Sequence, residues 1–354
     1  MKCCIECFLD MDIRDRISSH KQIGSCEICE SQNVYICDSS FLKDSFESFL
    51  DMYTPLSETP IVIEDSDKKL LNEILKFKWN IFALDIDKIQ KLIVSICSGK
   101  YSSSPKLFNE PVVILEEHDA EYLGKHSILS NTDWEYFVET IKYTNRFHID
   151  YMNLEVLTRL LEYAKKEYKA GQQMFRARYS SESGIILSEM GAPPKELATA
   201  GRANSQGVRC LYLSNDIETT FHEIRAKVHD YISVGYFILK KDIEVINLRE
   251  FHDISPFIID PNGNLTEYAI NKKNLTKISN EIAKPLRRKE SELDYLPTQY
   301  LSEYIKHLGY DGIEYKSTIN SGGYNLALFD ENCIECVNVE VYEMTQLDYK
   351  YGII

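Results

Sequence analysis

The stretch Cys210-Leu-Tyr-Leu-Ser-Asn-Asp-Ile-Glu-Thr-Thr-Phe-His-Glu-Ile-Arg225 changes its periodicity midway. Its first residues belong to an apolar run, Val208–Leu213, that reads as a short buried strand. From Ile217 the apolar side chains recur as Ile217, Phe221, Ile224 and Val228, the spacing of one helix face. Ser214 or Asp216 is placed to cap that helix, because a short side-chain oxygen there accepts from the first free backbone amides. At about 100° per residue, Glu223 falls off the apolar stripe, beside Thr219, Thr220 and Lys227. A solvated Glu223–Lys227 pair is the default for such a carboxylate. From Gln173 onward short strand-like runs are mixed with isolated helices, an α+β texture in which Glu223 can look into a cleft at a sheet edge.

Working outward, Met174-Phe-Arg176-Ala-Arg178 reads as a strand, whose alternation sends Arg176 and Arg178 to the face opposite Phe175 and Ala177. Gly191-Ala-Pro-Pro194 and Gly201-Arg202-Ala-Asn204-Ser-Gln-Gly207 follow as loops. In the second, glycines let backbone amides approach a ligand closely. A guanidinium offers a planar pair of donors that suits two phosphate oxygens, which singles out Arg176 and Arg202. Ile232–Leu239 and Ile243–Leu248 read as strands. Asp294-Tyr-Leu-Pro297-Thr-Gln299 opens a helix with Leu301, Ile305 and Leu308 inward, and Gly309 ends it. Tyr315-Lys-Ser317 closes a short strand, and Gly322-Gly-Tyr-Asn325-Leu-Ala-Leu-Phe329 supplies another polar position inside an apolar run. Tyr212, within Cys-Leu-Tyr-Leu, has a core tyrosine as its plain reading, and Ser317 a turn serine. No Ser-His-acid triad surrounds Ser317, so it is not assigned as a nucleophile.

The other end of the chain is different in kind. Cys4-x2-Cys7 and Cys26-x2-Cys29 are separated by eighteen residues. Two such knuckles close a tetrahedral four-thiolate zinc site, with no position left open for water, so the metal is expected to be structural. A segment this short has little core of its own and would draw much of its folding energy from the ion. Cys3, Cys37 and His20 are alternative ligands. Cys333-x2-Cys336 continues its alternation into Val337, Val339 and Val341 and reads as a strand. Helical spacing covers Asp38–Pro55, Lys68–Lys78, Ile86–Cys97, Asp133–Tyr143 and Asn153–Tyr168, with a short strand at Pro111–Leu115. The expected layout is a zinc-ribbon-like segment at 1–38, a mainly helical region at 39–170 and, from a boundary near Gly171, a domain at 171–354.

Bulk properties narrow the function classes. A chain of 354 residues with a formal charge of −15 repels polyphosphate at long range, which disfavours a dedicated nucleic-acid role. A few local arginines can still hold a small anion. The apolar runs are too short to span a bilayer, and the first residues lack a secretory apolar core. Ten cysteines without such a signal predict a reducing, cytoplasmic setting.

The ordered series of an early arginine, a helical glutamate and a late serine (Arg176, Glu223 and Ser317) resembles the RES-domain family, over a little under half of the chain. The resemblance implies an ADP-ribosyltransferase-like split β-sheet around an NAD+ cleft. It further implies an enzyme that degrades NAD+, by phosphorolysis or hydrolysis of the nicotinamide–ribose bond. Arg176, with Arg178 as its alternate, Glu223 and Ser317 then carry the chemistry. By the same resemblance Arg202, Tyr212, Arg178, Gln299 and Asn325 are expected to bind NAD+. One carboxylate with arginines and hydroxyls is a sufficient kit: departing nicotinamide needs no proton, and a carboxylate steadies the positive ribose that remains. The resemblance also implies a bacterial toxin or defence effector restrained by a cognate antitoxin or regulatory protein, with inorganic phosphate or water as acceptor. A macromolecular ADP-ribosyltransferase and a zinc-ribbon interaction protein with a degenerate NAD+ site are the alternatives. The helical middle resembles the HEPN-type regions attached to some RES domains. Arg14 and His20 have roughly the arginine–histidine spacing of a HEPN nuclease but sit poorly placed between the cysteine knuckles, and Arg146 and His148 are too close together.

Overall fold

The computed structural model describes residues 1–130, 132–260, 264–284, 292–317, 320 and 322–347. They form two compact units. One comprises Met1–Asn131, Met152–Tyr163 and Asp253–Lys273, and the other Thr132–Tyr151, Ala164–His252 and Asn274–Ile354. Packing thus groups the zinc-ribbon-like segment with most of the helical region, and exchanges short segments between the two halves of the chain.

In the first unit, β1 (Lys2–Cys4), β2 (Ile23–Gly24) and β3 (Val34–Asp38) form a small antiparallel sheet in the order β1-β3-β2. Asp10 caps the Met11–Ser19 helix by accepting from the Ile13 amide at 3.0 Å. The helix expected over Asp38–Pro55 is shorter than its apolar spacing suggests. Asp38 instead ends β3 and caps a 3-10 turn at Ser39–Leu42; the helix proper is Lys43–Leu50. Thr54–Pro55, as β4, pairs with β5 (Val112–Val113). The stretch Lys68–Lys78 resolves into Leu71–Glu73 and a π turn at Ile74–Lys78. Phe8, Phe46, Phe49, Phe82 and Trp79 fill the core with tilted and edge-on ring contacts, and the half-buried Phe257 packs against Phe46 at 4.8 Å.

Lys272 lies over the rings of Trp79 and Tyr268, at 5.1 and 5.5 Å. Burial pulls its pKa from 10.5 down to about 8, with Asp253 opposing and Lys78 reinforcing the shift. The unfolded chain therefore binds the extra proton between pH 8 and 10.5, so this residue's contribution to stability rises with pH across that window. Lys272→Met is expected to remove this rise: in denaturant titrations between pH 8 and 10.5, the stability of the wild-type protein should climb relative to that of the variant.

The large sheet of the second unit begins where the expected Asn153–Tyr168 helix breaks. Asn153 caps it as anticipated, accepting from the Val156 amide at 3.2 Å, but the helix ends at Leu161. A 3-10 turn, Glu162–Ala164, leads into β6 (Lys165–Tyr168). Tertiary pairing overrides local propensity here: β6 joins the large sheet, and Tyr168 is fully buried in its core. The remaining strands are β7 (Gln173–Ser180), β8 (Leu211–Ser214), β9 (Tyr231–Leu239), β10 (Ile243–Asn247), β11 (Gly312–Lys316), β12 (Tyr324–Leu328) and β13 (Ile334–Glu343). Their order is β13-β9-β7-β8-β12-β11-β10-β6, antiparallel except for β10 with β11. The protein is α+β, with this mixed eight-stranded sheet in its C-terminal part. Leu211, Leu213, Leu326 and Leu328 point into one core. The intervening residues of β8 and β12 necessarily face the other way.

Candidate active site

That opposite face carries the site. The registers Tyr315↔Asn325, Asn325↔Ser214 and Ser214↔Phe175 align four residues in one row across β11, β12, β8 and β7. All four line a cavity of about 440 Å³, a size suited to a small organic ligand. The Phe175↔Ser214 pair is the one register pair between β7 and β8, so the two strands separate beyond it. Arg176 occupies this opening, where its Nη1 donates to Tyr212 O at 3.2 Å and satisfies a carbonyl that the ladder leaves unpaired.

Glu223 reaches the row from the Ile217–Ile224 helix. Asp216 caps that helix by accepting from the Thr219 amide at 2.8 Å, which decides between the two candidate caps. Ile217, Phe221 and Ile224 pack against Ala177, Ile232 and Val234. The apolar stripe stops there, because the helix ends at Ile224 and leaves Val228 outside it. Lys227 is likewise off the helix, so the default Glu223–Lys227 pair has no i,i+4 geometry. Glu223 Oε1 instead accepts from Asn325 Nδ2 at 2.7 Å and Ser317 Oγ at 3.2 Å. Asn325 is in turn oriented by Ser214, whose Oγ donates to Asn325 Oδ1 at 2.7 Å. Ser214, Ser317 and Asn325 are buried, whereas Glu223 is open to the cavity.

Arg176 is an uncompensated cation. Among the described residues no carboxylate lies within ion-pair distance of it, and its Nε is shielded without a hydrogen-bond partner. Burial, and then the neighbouring Arg178 cation, pull its pKa down to about 10, which still leaves it charged at neutral pH. Such a group suits an anion, and its burial costs folding free energy. Arg178, its neighbour two residues on, is exposed and donates to Glu189 O outside the cavity.

The Gly201–Asn204 loop is built from within. Tyr212 Oη donates to Asn204 Oδ1 at 2.6 Å and accepts from the Ala203 amide at 3.0 Å. Burial raises the pKa of this phenol well above its ordinary value. Gln299 Nε2 donates to Gly201 O and Asn204 O, at 2.7 and 2.9 Å, from the Leu296–His307 helix. Glycine is required at 201 because a Cβ would come within 2.5 Å of Tyr212 Oη; the close approach there is to protein. Arg202 is thereby held over the Tyr315 ring at 4.9 Å, and its Nη1 donates to Ile282 O and Ala283 O at 2.6 and 3.0 Å. A cation on the last carbonyls of the Asn264–Ala283 helix also meets the negative end of the helix dipole.

The cavity thus brings together Arg176, Arg202, Tyr212, Glu223 and Asn325, with Ser317 behind Glu223. Gln299 acts on the loop, and Arg178 stands apart. Arg225, Tyr295 and Tyr315 also line the cavity and were assigned no role from sequence. All three lie inside the quoted motifs, so proximity to Glu223, Gln299 and Ser317 was the available signal.

In the first unit, the Sγ atoms of Cys4, Cys7, Cys26 and Cys29 all lie within 4.8 Å of one another. Three of the separations are 3.8, 3.4 and 3.5 Å, for Cys4–Cys7, Cys4–Cys29 and Cys7–Cys26. A tetrahedral ion with bonds of about 2.3 Å sets sulfur–sulfur edges near 3.8 Å, so this set fits one metal ion. The Ile28 and Cys29 amides point at Cys26 Sγ, at 3.4 and 3.5 Å, as in a metal-binding knuckle. Cys3 and Cys37 instead face each other across β1 and β3 at 3.7 Å, and His20 packs edge-on against Phe41. Neither alternative joins the cluster.

The C-terminal unit is a mixed-sheet domain with a cationic cleft around one carboxylate. The RES domain model matches residues 173–351, and the chain belongs to this family. A chain in the crystal structure of the M. tuberculosis MbcT–MbcA toxin–antitoxin complex is similar at 9% identity and a TM-score of 0.32, over 53% of this chain and 92% of that one. A search of the curated proteins gave no match. Among the described residues, no helix is long and apolar enough to cross a membrane.

Proposed function

We propose that the C-terminal unit cleaves NAD+ at the nicotinamide–ribose bond and passes ADP-ribose to phosphate or water. The observation that carries this reading is a carboxylate held by Asn325 and Ser317, open to the same cavity as three arginines. As the C1′–N bond breaks, its electron pair stays on the nicotinamide nitrogen, which becomes neutral. Positive charge moves to the ribose, where Glu223 stabilises it more in the transition state than in the ground state. An acceptor oxygen then bonds to C1′: a water oxygen gives its proton to solvent, whereas a phosphate oxyanion has none to lose. Because Asn325 and Ser317 fix the carboxylate beforehand, little reorganisation accompanies this change of charge.

Zinc is the metal proposed for the four cysteines: four thiolates at tetrahedral spacing suit it, and it would fasten the small sheet without an open position for chemistry. The division at 38 and 170 is proposed as the functional layout, with 1–170 as restraint or trigger. Unchecked NAD+ loss is harmful, so the protein is proposed to act as a toxin or defence effector in the cytoplasm, held by an antitoxin-like partner. Incubation with labelled NAD+, with and without phosphate, should yield only small-molecule products. Label retained on macromolecules would instead identify an ADP-ribosyltransferase.

A further inference from the structure

The helix that carries Glu223 ends on a residue ill suited to its conformation. Arg225 follows the last helical residue with φ 55° and ψ 49°, in the left-handed region. Its amide donates to His222 O at 3.0 Å, and the Ala226 amide to Phe221 O at 3.1 Å. These two bonds close a helix in the Schellman manner, where glycine is the usual occupant because a Cβ crowds the backbone. Here a long cationic side chain stands in that place. Tyr179 straps the turn, its hydroxyl donating to Ile224 O at 2.7 Å and to Arg225 O at 3.1 Å.

Strain of this kind persists where a site requires it. Arg225 lines the same cavity as Glu223, Arg202 and Tyr295. Burial raises the pKa of the Tyr295 phenol; the Arg202 and Arg225 cations oppose that rise, and the Glu223 carboxylate adds to it. The four groups therefore share one electrostatic neighbourhood. Arg202 is already immobilised through its Nη1 on two helix carbonyls. A diphosphate carries two negative charges, and a second guanidinium matches the second charge.

We propose that Arg225 is a substrate-binding residue which, together with Arg202, takes the diphosphate bridge of a dinucleotide, so that Glu223 is left to the ribose. This rests on the NAD+ reading above. Glycine at 225 removes both the strain and the cation, so its two effects have opposite signs. Arg225→Gly in the full chain should raise the melting temperature by about 2–4 °C. It should raise KM for NAD+, and weaken ADP-ribose binding, roughly tenfold or more, with a smaller fall in kcat. Arg225→Lys should recover part of that affinity without the gain in melting temperature. Unchanged KM and ADP-ribose affinity in Arg225→Gly would overturn the proposal. So would a raised KM accompanied by a lower melting temperature, which would mark a folding role. Wild-type protein that does not consume NAD+ defeats the cleavage reading; ADP-ribose affinity alone then decides the role of Arg225.

Discussion

Glu223→Gln should lower kcat for NAD+ cleavage by about two to three orders of magnitude, with KM and stability nearly unchanged. The amide keeps the shape and the hydrogen-bonding reach of the side chain towards Asn325 and Ser317, but not the charge. Because the Gln carbonyl can still accept from the buried Asn325 and Ser317, the replacement leaves neither of them unpaired. Loss of turnover without loss of substrate affinity identifies a group that acts in the transition state. Undiminished turnover would show that the carboxylate has another task. Ser317→Ala and Asn325→Ala act through Glu223, and their losses should not add to that of Glu223→Gln.

The second large effect concerns the cysteine cluster. Chelation of metal, or Cys26→Ser, should unfold the small sheet formed by β1, β2 and β3. Four cysteine sulfurs converge there at the spacing of one tetrahedral ion, and an ion held by them would couple its binding to the folding of the sheet. The expected scale is on the order of 10 kcal/mol of binding free energy, far above any single side-chain contact nearby. Hydrogen exchange should show residues 2–38 losing protection while β7 to β13 keep theirs. Purified protein without bound zinc, and exchange indifferent to chelator, would contradict this.

The sequence made the cysteine pairs legible because a fixed short spacing leaves few geometries. It also marked the strand-to-helix passage into Glu223, since a change of period at a capping residue is a local signal. What it could not show was long-range. The helix bearing Glu223 stops at Ile224 without a glycine or asparagine to announce it, so Lys227 looked like its ion-pair partner. Tyr212 and Gln299 carried the right motif positions, yet their polar atoms hold the Gly201–Asn204 loop, a task set by strands and a helix distant in sequence. The same cause shortened the Asn153–Tyr168 helix, whose last residues were claimed by pairing with β10. Arg176 and Arg178 were equivalent by alternation; only the separation of β7 from β8 places one in the cavity and leaves the other outside.

A structure of Glu223→Gln with NAD+ bound tests the central claim most directly. The account predicts the nicotinamide-bearing ribose beside residue 223 and the diphosphate among the guanidinium groups of Arg202 and Arg225. NAD+ bound elsewhere, or lying with its diphosphate against residue 223, would contradict it.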